Sequence, residues 1–199
     1  MSSTRLPAGE RRQAVLETAC HMFCRLSYRG ATTAEIAREV GVSEPVLYRH
    51  FASKRDLYLA CIEEAWQHVR AMWDEALAAE DDPSKWIAAI GTAYLQAKKA
   101  DKVFLIELWI QSLSEASEDP EIRKHLREHV LEVHEYVVDT MRRAQKAGGV
   151  IKDRDASAEA WIFISLGLLS TIDRRLGDLV GEEFERIVAS RRKWMTGKS

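Results

Sequence analysis

Apolar residues recur at three- and four-residue intervals along almost all of this 199-residue chain, and no run alternates in the β-branched manner of a strand. A helix gathers such positions on one face, so the spacing commits the chain to an all-α fold. Capping residues then set the lengths. A first helix runs from about Gly9 to Leu26 with Val15, Ala19 and Phe23 on one stripe, and Gly30 stands where a left-handed C-cap is expected. Thr32-Thr33-Ala34-Glu35 reads as a capping box, the Thr32 hydroxyl and the Glu35 carboxylate each covering an orphan backbone donor. It opens a second helix over roughly residues 33–40.

Gly41 ends that helix, and Ser43 is expected to cap a third within two residues. Pro45 falls in its first turn, where a missing N–H costs nothing, and Phe51 closes it. Ser53 and Asp56 cap a fourth helix that carries Leu57, Cys61 and Trp66 toward Glu80. After the break at Asp81-Asp82-Pro83-Ser84, helices are expected over about 84–99, 102–115, 120–146, 156–176 and 181–195. Gly148-Gly149 is the clearest later stop.

At 46% hydrophobic and 30% charged, the composition is that of an ordinary soluble protein. Three cysteines, Cys20, Cys24 and Cys61, are odd in number and lack C-x-x-C spacing, so neither a disulfide framework nor a zinc knuckle is encoded. Reduced thiols and a cytoplasmic location are expected. The N-terminal SSTRLPAGERR has no apolar core for export, and the longest uncharged run, Ala160 to Ile172, is 13 residues, so no membrane span is expected. The net charge of −2 is unevenly divided: residues 1–59 hold nine Lys and Arg against six Asp and Glu, a net +3, whereas residues 60–199 hold twenty against twenty-five, a net −5. A basic head on an acidic body suits a polyanion at one end only.

The third helix, within GVSEPVLYRHFASK, is too short to stand alone, because nucleation costs more than two turns return. Ile36, Ala37 and Val40 can bury against Leu47 and Phe51, which makes the pair a helix-turn-helix. Counting about 100° per residue from Glu44 puts Leu47 and Phe51 at about 300° and 340°, so the outward direction is about 140°. Pro45, Val46 and Arg49 point nearest to it, with Tyr48 and His50 flanking the buried stripe. That layout suits a helix in a DNA major groove, its outermost side chains over base edges and its flanks over the phosphates.

Residues 11–58 resemble the DNA-binding domain of the TetR family of transcriptional regulators. The resemblance rests on the first helix, on the Gly30-to-Thr33 lead into the second, on Ile-Ala-x-x-x-Gly-Val-Ser and on Leu-Tyr-x-His-Phe-x-x-Lys. It implies an N-terminal three-helix helix-turn-helix domain over residues 1–58, followed by an all-helical effector-binding and dimerisation domain over 59–199. Carried over position by position, it implies that Thr33 meets a phosphate, that Glu44, Pro45, Val46 and Arg49 meet bases, and that Tyr48, His50 and Lys54 hold the backbone, with Ser43 at the turn. Lys54 would add its charge to a helix N-terminus. Glu44 either accepts from a cytosine N4 amine or serves as a first-turn helix acid. Arg5, Arg11 and Arg12 form either an arm along the DNA or a solvated tail.

One such head reads half a site, so two must be held about 34 Å apart or a multiple of it. AEAWIFISLGLLSTI, Ala158 to Ile172, is apolar nearly all round. With FERIVASRRKWM it can form half of a four-helix dimer interface through Trp161, Ile164, Ser165, Leu168, Leu169, Ile172, Phe184 and Ile187, as the resemblance also implies. The alternative is a central helix buried within one subunit. KVFLIELWIQSL carries Glu107 and Gln111 one turn apart beside Phe104 and Leu108, which with Trp66, Trp73 and Trp109 could bind a cationic or hydroxylated ligand. Alternatively Glu107 meets a Lys or Arg and the tryptophans are core. His125, His129 and His134 invite a metal, yet their charged neighbours read as a solvated face, and neither metal nor cofactor is expected. The paired Glu-x-x-His, H-E-x-x-H and G-x-S-x-G patterns are absent, so no enzyme is expected. The resemblance implies a cytoplasmic homodimer on a pseudo-palindromic DNA operator, most often a repressor, released by a small-molecule effector.

Overall fold

The computed structural model describes residues 8–100 and 104–197, and every regular element among them is a helix. In order these are α1 (Ala8–Gly30), α2 (Thr33–Val40), α3 (Glu44–Tyr48), α4 (Lys54–Ala78), α5 (Trp86–Lys99), α6 (Leu105–Glu118), α7 (Pro120–Lys146), α8 (Ala156–Arg175) and α9 (Glu183–Thr196). They fall into two compact units. One comprises residues 1–67 with 107–127, the other 68–106 with 128–199. The expected boundary between residues 58 and 59 therefore falls inside α4, and the first unit also takes in most of α6 and the start of α7.

In the first unit Val15, Leu16, Ala19 and Phe23 of α1, Ile36 and Ala37 of α2, Leu47 of α3 and Leu57 and Tyr58 of α4 are all removed from water, as is Phe51, which lies three residues beyond the end of α3 at Tyr48 rather than closing that helix as expected. Burial of such side chains is the main stabilising term for elements this short. The α2 capping box is complete: the Glu35 amide donates to Thr32 Oγ1 at 3.2 Å, and the Thr32 amide donates to Glu35 Oε2 at 3.1 Å. Gly41 closes α2 in the left-handed region at φ 78°, its amide donating to the Ala37 and Arg38 carbonyls.

Two caps differ from expectation. The left-handed residue ending the long part of α1 is Ser27 at φ 67°, not Gly30, and the Gly30 amide donates to Ser27 Oγ at 3.3 Å. A side-chain oxygen able to bond its own turn makes this conformation tolerable for serine. Ser43 occupies the N-cap of α3 in extended geometry, but its hydroxyl makes no cap bond. Pro45 has no N–H to offer, and the Val46 amide donates instead to the Ser43 carbonyl at 2.9 Å. At α4 the Asp56 amide donates to Ser53 Oγ at 3.0 Å, and Asp56 Oδ2 accepts from the Ala52 amide at 2.9 Å.

Residues 107–127 are fastened to the helix-turn-helix side of this unit by polar bonds. Arg29 pairs with Glu115 at 3.0 Å and with Glu118, and Arg55 pairs with Asp119 at 3.2 Å. The buried Tyr58 hydroxyl lies 2.8 Å from Ser112 Oγ and 3.1 Å from the Leu108 carbonyl, and Gln111 Nε2 donates to the Cys24 carbonyl at 3.3 Å. The exposed ion pairs contribute little each; the buried hydroxyls fix register.

The second unit packs Val69 and Trp73 of α4, Ile87, Ile90 and Tyr94 of α5, Val133, Val137 and Met141 of α7, and Ala160 and Ile164 of α8. Trp73 lies against Tyr136 at 5.5 Å and edge-on to Phe163 at 5.7 Å between ring centres. A Cβ on Gly149 would fall 2.2 Å from the Pro83 carbonyl carbon, which is why only glycine serves at that stop. His129 and His134 are buried, contrary to the solvated face read from their charged neighbours. His134 stacks on Trp161 at 4.2 Å and its Nε2 donates to the Ser157 carbonyl at 3.0 Å. Charge density along a helix does not reveal which face a neighbouring helix covers. Among the described residues no three His, Cys, Asp or Glu side chains gather as a metal site.

Candidate nucleic-acid interface

The five residues of α3 are held from behind by Leu47 and Phe51, both essentially without exposure. Leu47 and Phe51 are one turn apart, so the opposite face looks outward. Pro45, Tyr48 and Arg49 are exposed, Tyr48 at 44% of its surface, and Ser43 is exposed at the turn. Glu44, Val46 and His50 are half-buried.

Thr33 differs from its expected role as an open phosphate contact. It is only 7% exposed, and its Oγ1 donates to Glu44 Oε1 at 2.5 Å while lying 3.1 Å from the Tyr48 hydroxyl. Lys54, the first residue of α4, is half-buried, its Nζ 4.7 Å above the Tyr28 ring and 3.5 Å from the Arg29 carbonyl. Burial lowers its pKa, opposed by the charges of Glu115 and Glu35. The Glu35 carboxylate of the capping box is held below the usual carboxylate range by its hydrogen bonds from Thr32. Arg11 and Arg12 lie on α1 rather than on a tail, and Arg12 sits 5.1 Å over the Phe51 ring, behind α3; Arg5 is outside the described residues.

The seven residues expected to bind a ligand are divided between the units. Trp66, Glu107, Leu108, Trp109 and Gln111 belong to the first, the first four buried and Gln111 turned to Cys24. Trp73, buried, and Phe104, half-buried, belong to the second. Among the described residues of the second unit there are cavities lined by other residues. One of about 470 Å³ is bordered by Leu95, Lys98, Ser170, Asp173 and Phe184, another of about 340 Å³ by Ala76, Lys85, Ala89, Gln96 and Arg192. Lys98 is buried and donates to Ser170 Oγ at 2.8 Å and Thr171 Oγ1 at 2.7 Å.

Of the residues expected at a dimer interface, Trp161, Ser165 and Ile172 are exposed, and Leu168, Leu169, Phe184 and Ile187 are half-buried. Ile164 is the exception: with Ala160 and Thr171 it faces the interior of its own unit. Residues 160, 164 and 171 share one side of the helix and 161, 165, 168 and 172 another, which the all-round apolar composition conceals. Exposed Ile162, Leu176, Leu179 and Trp194 were not anticipated. Trp194 hides part of its apolar character from a sequence reading, because its Nε1 donates to buried Glu159 at 3.1 Å while Arg154 lies 3.8 Å over its ring. Only 28% of the most apolar stretch of α8 is buried. By length and composition alone α8 is also long and apolar enough to cross a membrane.

Residues 15–61 match the profile of bacterial regulatory proteins of the tetR family, and residues 83–167 match that of the C-terminal region of BetI-type transcriptional repressors. The chain belongs to the TetR family. Like those proteins it is a transcriptional regulator built from an N-terminal helix-turn-helix and an all-helical remainder. It is 38% identical over 90 residues to the HTH-type transcriptional activator FasR of Mycolicibacterium smegmatis, a match that takes in 45% of this chain and 41% of FasR. It is 26% identical over 167 residues to the HTH-type transcriptional regulator YvkB of Bacillus subtilis, covering 83% of this chain and 84% of YvkB. A TetR-family regulator from Cytophaga hutchinsonii shares the fold, with a TM-score of 0.83 at 14% identity over 98% of this chain and all of that one. So does a Saccharomonospora viridis protein solved in complex with choline, with a TM-score of 0.70 at 24% identity over 92% and 95% of the two chains.

Proposed function

We propose that this TetR-family regulator is a cytoplasmic homodimer that represses transcription from a pseudo-palindromic operator and is released by a small-molecule effector. The observation that carries the reading is the outward face of α3, where Pro45, Tyr48 and Arg49 stand in water on a helix whose other side is fully buried. Pro45, Val46 and Arg49 meet base edges; Tyr48, His50 and Lys54 hold phosphates. An arginine can bond the O6 and N7 of guanine in a bidentate manner, so Arg49 is the main reader.

The exposed apolar side of α8, Trp161, Ile162 and Ile172, meets its equivalent on a second copy, with α9 alongside through Phe184 and Ile187. Polar anchoring supports a protein partner rather than lipid: Glu159 of α8 is buried against Arg191 and Trp194, and the helix ends in Asp173-Arg174-Arg175. Repression is favoured by the BetI-type repressor profile over residues 83–167. For the effector, a cation is supported by the choline found in the Saccharomonospora viridis structure. Because Arg29, Arg55 and Tyr58 tie α1 and α4 to residues 107–127, a shift of α6 reaches the reading helix without crossing a loose joint.

The test is selection of bound duplexes from random DNA fragments, followed by footprinting and then by titration with choline and other quaternary ammonium compounds. The expected result is one discrete, two-fold symmetric protected site from which a cation releases the protein. Coupling is reciprocal, so operator DNA should lower effector affinity by the same factor. Uniform coating of DNA would refute operator recognition, and an unaltered affinity in both directions would refute induction.

A further inference from the structure

The three polar side chains nearest the proposed phosphate contacts are already bonded to one another. Thr33 has a single hydroxyl proton, and the 2.5 Å contact commits it to the Glu44 carboxylate. The 3.1 Å contact must then be the Tyr48 hydroxyl donating to Thr33 Oγ1. Both protons that a DNA phosphate would need point inward along a relay that ends on a carboxylate. A phosphate arriving at Tyr48 or Thr33 finds no free hydroxyl proton and a like charge.

We propose that Glu44 is an internal stand-in for a DNA phosphate, and that it makes binding conditional on the base it meets when displaced. This rests on the DNA-interface reading above. When a backbone phosphate takes the Tyr48 and Thr33 protons, the carboxylate is turned out at the first residue of α3, toward the groove. There its suitable partner is an exocyclic amine, N4 of cytosine or N6 of adenine. Where the base pair offers only carbonyl or ring-nitrogen acceptors at that position, the carboxylate is left unpaired among phosphates and the complex is penalised. Glu44 thus works against wrong sequences more than for right ones. Its two partners explain why a first-turn acid lies on a surface meant for a polyanion: unbound, it accepts the Thr33 hydroxyl proton, and Thr33 in turn accepts from Tyr48.

The test compares full-length wild type with E44A and the near-isosteric E44Q on two duplexes, the site selected by wild type and a random-sequence duplex of equal length, over a salt series. Thermal midpoints of both variants check that α3 remains in place, and E44Q stands in should E44A loosen it. The expected result is a gain in affinity for the random duplex on the order of 10-fold in E44A, with less change on the selected site, so that discrimination shrinks. Repeating the selection with E44A should erase a cytosine or adenine preference at one position of each half-site. Equal or weaker random-duplex binding in E44A and E44Q overturns the proposal, as does a wild-type half-site with no such preference. Failure of wild type to select any discrete site would refute the DNA reading itself; a discrete site unchanged by E44A refutes only the role given to Glu44.

Discussion

α3 and α8 both leave large side chains in water, and they do so for opposite reasons. On α3 the exposed atoms end in polar tips: a guanidinium at Arg49 and a phenol at Tyr48. On α8 they are hydrocarbon and indole, at Trp161, Ile162 and Ile172. The first helix spans five residues and exists only because Leu47 and Phe51 are buried; the second spans twenty and spreads its nucleation cost over many more hydrogen bonds. Exposure alone therefore says that something is recognised, and the chemistry of the exposed atoms says what. A polyanion suits the first surface and a second apolar protein face the second.

Removing the support of α3 should have the largest effect. Leu47→Ala leaves a cavity behind the reading helix and should cost about 2–5 kcal/mol, measurable by chemical denaturation, with loss of operator binding. If binding survives, α3 does not depend on its buried face. Placing charge on α8 comes next. Trp161→Glu with Ile172→Glu should halve the sedimenting mass and lower operator affinity on the order of 100-fold, since two heads no longer act as one ligand. An unchanged mass would move the dimer contact elsewhere.

Within the α3 surface the effects should separate by role. Arg49→Ala should cost roughly 1–3 kcal/mol on the selected site and relax one base position, read by a gel-shift series over single-base variants. Lys54→Ala should weaken all duplexes alike and reduce the slope of log affinity against log salt by about 1. The smallest effect concerns the α2 cap. The Glu35 carboxylate is held low in the folded state by Thr32, so its stabilising contribution is present above the ordinary glutamate range and is lost as pH falls through the folded-state value. Between about pH 5 and 3 the thermal midpoint of wild type should fall further than that of Thr32→Ala, which has no capping box to lose.

Where local chemistry decides, the sequence was readable. The Thr32–Glu35 box and Gly41 bound α2 as their capping chemistry requires, and α7 spans Pro120–Lys146, the expected range, with Gly148-Gly149 just beyond it. The reading failed where a neighbour decides. Ser27 rather than Gly30 turns left-handed, because its own hydroxyl serves the turn. The Ser43 hydroxyl makes no cap bond, because Pro45 offers no N–H and the Val46 amide goes to the Ser43 carbonyl instead. His129, His134 and Ile164 are buried by other helices, and periodicity along one helix carries no information about which side those helices cover. A wheel count from Leu47 and Phe51 suffices to put Pro45 and Arg49 in water, but Val46, expected outward with them, is half-buried, and Tyr48, expected on a flank, is among the exposed residues. The contact between Thr33, Glu44 and Tyr48 was hidden, because it joins side chains from two helices across a turn.

Tyr58 donates across to Leu108 and sits against Ser112, while Arg29 and Arg55 reach residues 115 to 119. The reading head is thus assembled from two stretches of chain separated by some forty residues of the other unit. Grafting it onto another regulator's body at the motif's apparent end would strand a buried phenol and open the rear of α4. A working chimera must transplant residues 107–127 together with the first 67.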